Sequence, residues 1–152
     1  MGQGGWLSYG EVDTRADRIA NAFIARGLRK GEAVSTLLPN MEENLVVWFG
    51  IQRAGGVQSP INLAYRGDFL SWVLNLPRSR FLVVGDDHLD WLAGVMGDLA
   101  HLEHVIVDPT GKRQGPDPSV RWEPFEAFAD APDSDPGVEV SWTDDARVLR
   151  QL

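Results

Sequence analysis

The period of the apolar positions changes several times along this chain, and each change marks an element. Within residues 8–28, SYGEVDTRADRIANAFIARGL, the residues Val12, Ala16, Ile19, Ala20 and Phe23 recur at helical spacing and share one face. Ser8 and Glu11 have the S-x-x-E spacing of a capping box, where each side chain satisfies a backbone N–H left free at the helix start. Glu11 and Arg15 stand one turn apart and predict a flanking ion pair. Gly27 suits the left-handed position beyond the last turn, with Leu28 folding back on it. A helix that stops there is predicted.

EAVSTLLPN (32–40) is a short apolar and β-branched run closed by Pro39, the mark of a buried strand. MEENLVVWFGIQRA (41–54) is apolar around much of a helix, with Asn40 and Glu43 as start signals and Gly55-Gly56 as its stop. VQSPIN (57–62) predicts a strand that Pro60 must end or bulge. Asp68 predicts the cap of a helix over FLSWVLNL (69–76), halted before Pro77. RFLVVGDD (80–87) and EHVIVDP (103–109) predict two more strands. Between them, HLDWLAGVMGDLA (88–100) puts Leu89, Leu92, Met96 and Leu99 on one helical stripe, weakened by Gly94 and Gly97.

Successive strands start about two dozen residues apart, near the length of one βα unit. The predicted fold class is therefore α/β, a largely parallel sheet with helices on both faces and right-handed crossovers. After Asp108 the texture changes. Residues 109–140 read as a loop-rich stretch, interrupted by WEPFEAFAD (122–130), a short helical turn expected to carry Trp122, Phe125 and Phe128 inward. In the closing VSWTDDARVLRQL, Thr143 or Asp144 can cap a new turn.

Composition narrows the partners. A chain of 152 residues suits one domain or part of a larger one. A net charge of −8 argues against nucleic acid and anionic membranes, which need concentrated Lys and Arg. The absence of cysteine excludes disulfides and thiolate metal sites and fits a reducing compartment. No apolar run approaches the roughly 20 residues of a membrane span, and the N-terminus lacks a secretion signal. The expectation is a soluble cytoplasmic protein.

Candidate chemistry is thin. GQGG (2–5) follows no strand, so it is no dinucleotide fingerprint. Gly111-Lys112 lacks the rest of a phosphate loop, since Ile106 stands where an earlier glycine is needed and Arg113 where Ser or Thr is needed. His101, Glu103 and His104, with Asp98 upstream, could ligate a metal, yet a solvated helix end accounts for them without a further ligand. Asp86, Asp87 and Asp90 flank His88 at the C-terminal end of a strand, where α/β proteins bind ligands, although a turn and helix cap explain the same residues. There is no nucleophile elbow and no cysteine nucleophile. Trp6, Trp48, Trp72, Trp91, Trp122 and Trp142 are accounted for by packing against the sheet or against a missing neighbour. No catalytic, cofactor-binding or metal residue is assigned.

The pieces SYGE, ANAF-ARGL-KGE-V, LLPN, F-G-QRAGGV-SPIN and AYRGDFL, in this order and spacing, resemble the opening of adenylate-forming enzymes, the AMP-binding acyl-CoA synthetase superfamily. INLAYRGDFL is most similar to carboxylate–CoA ligases of the fatty-acid, carnitine and crotonobetaine type, whereas LPRSRF departs from the Ser-Gly-Ala linker of the family. The likeness covers about residues 6–108 and resumes at SWTDDARVL. It implies that residues 1–152 form an incomplete N-terminal segment of an AMP-binding large domain.

In intact relatives, a segment like DDARVL leads into a Ser/Thr/Gly-rich loop ending in Pro-Lys that holds ATP phosphates; here Arg150, Gln151 and Leu152 follow. The resemblance thus implies ATP, Mg2+, coenzyme A and a carboxylic acid as cofactors and partners of the intact enzyme, and inactivity of this chain alone. The alternative is a non-catalytic α/β interaction module built on the same scaffold.

Overall fold

A computed structural model describes residues 6–108 and 122–139. Its centre is a five-stranded sheet in the order β2-β1-β3-β4-β5. The strands are β1 (Ala33–Leu37), β2 (Val57–Pro60), β3 (Phe81–Gly85), β4 (His104–Asp108) and β5 (Trp122–Pro124). Every pairing is parallel, with Val34 opposite Phe81, Phe81 opposite His104 and Val105 opposite Trp122. The helices are α1 (Tyr9–Ala25), α2 (Glu42–Arg53), α3 (Gly67–Asn75), α4 (Leu89–Ala93) and α5 (Phe125–Phe128).

Because side chains alternate across a strand, the register builds two cores. Val34, Phe81, Val83 and Ile106 pack against Ile19 and Phe23 of α1, Val47 and Ile51 of α2, and Phe128 of α5. Leu37, Leu82, Val84, Val105 and Val107 pack against Leu70 and Val73 of α3 and Leu89 and Leu92 of α4. Burial on both faces is why β3 reads as an unbroken apolar run, while β1 buries Ser35 and Thr36 among its apolar residues.

At the start of α1, Glu11 Oε2 accepts from the Ser8 N–H at 2.7 Å, and the Glu11 N–H donates to Ser8 Oγ at 3.2 Å. Ser8→Ala removes that cap and should lower stability by about 1 kcal/mol, read as a shift in the urea midpoint. Gly27 takes φ +81°, and Leu28 folds back so that its N–H reaches the Phe23 carbonyl at 3.0 Å. Glu11 is held by Ser8 and is favoured by the nearby charge of Arg15, whose guanidinium also reaches across to Glu42 and Glu43 of α2.

Helices α1 and α2 approach closely at Gly50. A Cβ there would sit 2.6 Å from the Ile19 Cβ and 3.1 Å from the Ala16 carbonyl oxygen. Gly50→Ala should cost about 1–3 kcal/mol in overpacking, offset by about 1 kcal/mol of helix propensity. The expected result is a net loss on urea denaturation, and a gain would show that α1 and α2 separate freely.

Several boundaries move. The cap of α2 is Met41, not Asn40, and makes no side-chain bond; Asn44 instead donates to the Pro39 carbonyl at 3.3 Å. Asp68 lies inside the first turn of α3, whose cap position is Arg66. Residues 86–98 form not one helix but a 3-10 turn (Asp86–His88), α4, and a second 3-10 turn (Met96–Asp98). Gly94 ends α4, as its low helix propensity allows.

Trp122 begins a strand, not a helical turn, and is half-exposed; only Phe125 and Phe128 point inward. Prolines terminate both outer strands, Pro60 on β2 and Pro124 on β5, where a missing N–H is tolerated. GQGG, Gly111-Lys112, Trp142, Thr143 and Asp144 lie outside the described residues.

Candidate functional site

Parallel α/β sheets bind ligands beyond the carboxyl ends of their strands, where neighbouring connections diverge. Here β1 lies between β2 and β3, so that divergence falls between β1 and β3. The residues gathered at this edge come from Pro39–Asn44, from the turn after β3 and from the end of β4.

Asp108 ends β4 opposite Gly85 and is buried. Its Oδ2 has no hydrogen-bond partner among the described residues. Burial, then the neighbouring carboxylates of Glu43, Glu126 and Asp86, push the Asp108 pKa up to about 7, with Arg15 opposing. Removing a carboxylate from water disfavours its charged form, and like charges add to the effect. Near neutrality, this carboxyl therefore retains a proton for part of the time. Asp108 carried no signal in the sequence beyond its place at the end of an apolar strand.

The 3-10 turn after β3 separates the residues of GDDHLD. Asp86 is buried, whereas Asp87 and Asp90 face solvent. The His88 ring stacks on Trp91 at 4.4 Å between centroids, and both its nitrogens are buried without a partner among the described residues. The Arg66 guanidinium lies 3.1 Å from the centre of the Trp91 ring, a cation–π contact. Beside the ends of β1 and β2, a cleft of about 550 Å³ opens among Asn40, Asn44, Leu45, Trp48 and Gln58. Gln58 Nε2 donates to Thr36 Oγ1 at 3.0 Å and to Asn44 Oδ1 at 3.2 Å, so its amide is already committed.

The histidines of the candidate metal cluster do not converge. His101 is exposed, whereas His104 lies within β4 with its ring stacked on Phe81 at 4.6 Å. Among the described residues, no group of three His, Asp or Glu could hold a metal ion. Among the described residues, Trp6 is fully exposed, Trp72 more than half so and Trp122 half-exposed, so these three do not pack against the sheet.

The edge thus offers carboxylates and carboxyls, with Arg15 already paired. That set can hold protons and orient hydrogen-bond donors. It does not suit a triphosphate, which calls for backbone N–H groups and cationic side chains.

Comparison with known proteins gives the scaffold its lineage. Residues 1–143 match the AMP-binding enzyme family. The chain belongs to this family. The crotonobetaine/carnitine–CoA ligase of Proteus mirabilis is 35% identical over 81 residues, which is 53% of this chain and 16% of that protein. Mycobacterium smegmatis MbtA in its apo form matches with a TM-score of 0.76 and 28% identity, over 95% of this chain and 26% of its own. The anthranilate CoA ligase AuaEII in complex with anthranoyl-AMP matches with a TM-score of 0.74 and 26% identity, over 84% of this chain and 24% of its own. The chain spans about one sixth of the length of the curated relatives it matches. Its parallel sheet and helices are a partial portion of the family's fold.

Proposed function

We propose that this chain forms the supporting framework of a carboxylate–CoA ligase and does not itself catalyse ligation. The observation that carries the framework role is the family match over residues 1–143. Names among the relatives support a carboxylate as substrate, namely the crotonobetaine/carnitine–CoA ligases and the anthranilate ligase with its anthranoyl-AMP. In the intact enzyme, ATP with Mg2+ would activate the carboxylate as an acyl-adenylate, and coenzyme A would take the acyl group. Residues 1–152 are then an incomplete N-terminal segment of the AMP-binding domain.

The described residues do not fit the ATP–Mg2+ group. The strand edge carries Glu42, Glu43, Asp86 and Asp108, which repel polyphosphate, and no acidic group is arranged to hold a metal. No catalytic role is proposed for any of them. No described helix is long and apolar enough to cross a membrane, and the proposed setting is the cytoplasm. The test is ATP–pyrophosphate exchange by the purified chain against a panel of carboxylic acids. The expected rate equals the protein-free blank, and carboxylate-dependent exchange would overturn the proposal.

A further inference from the structure

The opposite edge of the sheet, at the N-terminal ends of the strands, has the reverse electrostatic character. A cleft of about 390 Å³ there is lined by Arg29, Arg78, Arg80 and His101, with Glu32 and Glu103. In a chain of net charge −8 with 14 basic residues, the gathering of three arginines in one recess runs against the overall charge.

Arg80 forms the floor of the cleft through a set of hydrogen bonds. The Arg80 Nε donates to Glu32 Oε1 at 2.6 Å, its Nη1 to Glu103 Oε2 at 3.0 Å and its Nη2 to the Gly27 carbonyl at 2.7 Å. Those bonds consume both carboxylates and join the starts of β1, β3 and β4. The side chains of Arg29, Arg78 and His101 make no hydrogen bond or ion pair to another described residue; Arg29 acts on Glu32 only through its field and its backbone N–H. With Glu32 and Glu103 counted against three guanidinium groups, the recess retains one positive charge.

Arg78 carries a second, independent mark. At φ +53° it is the one non-glycine residue in the left-handed region among the described residues. Glycine would occupy that position without strain, whereas an arginine costs on the order of 1 kcal/mol. Such strain persists where the side chain has a use, and this side chain lines the basic recess. A planar guanidinium presents paired N–H groups that match the oxygens of a tetrahedral oxyanion.

We propose that Arg29, Arg78 and His101, set on the clamped Arg80, form a binding site for a phosphate dianion, free or as the terminal group of a phosphate monoester. This site is separate from the carboxylate-rich edge and does not rest on the proposed ligase role.

The test is titration of the whole chain with inorganic phosphate and, in parallel, with glycerol 3-phosphate, followed by calorimetry and by amide NMR shifts. Sodium chloride at matched ionic strength is the control. Saturable binding is expected, with shifts centred on residues 29, 78 and 101. Arg78→Gly should weaken binding about tenfold while leaving the melting temperature equal to or above that of the parent. Arg29→Ala should weaken binding to a similar extent. Saturation by phosphate alone would assign the free anion, and by both ligands a monoester-tolerant site. Shifts that chloride reproduces, or wild-type affinity in Arg78→Gly, would overturn the proposal.

Discussion

Phe23→Ala lowers the free energy of unfolding by about 3–5 kcal/mol, enough to leave much of the population unfolded in a domain of ordinary stability. Phe23 is fully buried and meets two rings edge-to-face, Phe81 of β3 at 5.6 Å and Phe128 of α5 at 4.8 Å. Each such pair adds about 0.5–1.5 kcal/mol beyond the area it buries. Loss of the ring also undocks α5, which Phe128 and Phe125 hold against the sheet. Urea denaturation gives the size of the loss, and hydrogen exchange over residues 122–128 should rise with it. A loss below about 1 kcal/mol would mean that this core relaxes to fill the gap.

Asp108→Asn acts in the other direction, and only where the parent carboxyl is ionised. Its folded-state pKa of about 7 lies above the ordinary aspartate value of 3.8. Below about pH 4 the group is neutral whether the chain is folded or not, so it imposes no penalty. Between those values the folded chain keeps a proton that the unfolded chain releases, and stability falls as pH rises. Above about pH 7 the penalty is complete, since a buried carboxylate must be carried beside Glu43, Glu126 and Asp86. At about 1.4 kcal/mol per pKa unit, the substitution should gain on the order of 2–4 kcal/mol at pH 8 and close to nothing at pH 4. Urea titrations of parent and variant at the two pH values measure the difference. An equal change at both would assign the effect to packing and not to charge.

The parts of the fold that were legible in sequence are those where one physical cause dominates. The capping residues Ser8 and Glu11 and the stripe through Phe23 defined α1, because a helix face and its first turn are local. Strands β1, β3 and β4 stood out as short apolar and β-branched runs because both of their faces are covered. Strand β5 did not. With three residues it is too short to show alternation, and half-exposed Trp122 and terminal Pro124 speak against a strand until β4 is beside them. The helix predicted over residues 88–100 broke where Gly94 left its stripe without support, and Arg15 reached beyond Glu11 to Glu42 and Glu43 across the α1–α2 contact.

The candidate site was legible only as a place. GDDHLD lies at a strand end, as expected, but the burial of Asp86 and the exposure of Asp87 and Asp90 depend on how the turn leaves β3. Asp108 became visible only when β4 was ranked in register and Glu43 and Glu126 arrived from other elements. The basic recess at the opposite edge has the same origin, with residues 29, 78 and 101 brought together by strand order.

The prolines closing the two outermost strands bear on how copies of this chain can meet. A growing fibril needs a rim whose amides pair without a break with the next molecule. Pro60 and Pro124 interrupt that row at each margin. Crowded copies that adhere through the bare rings of Phe69 and Trp72 should therefore clump without order and redissolve on dilution, leaving the sheet at five strands.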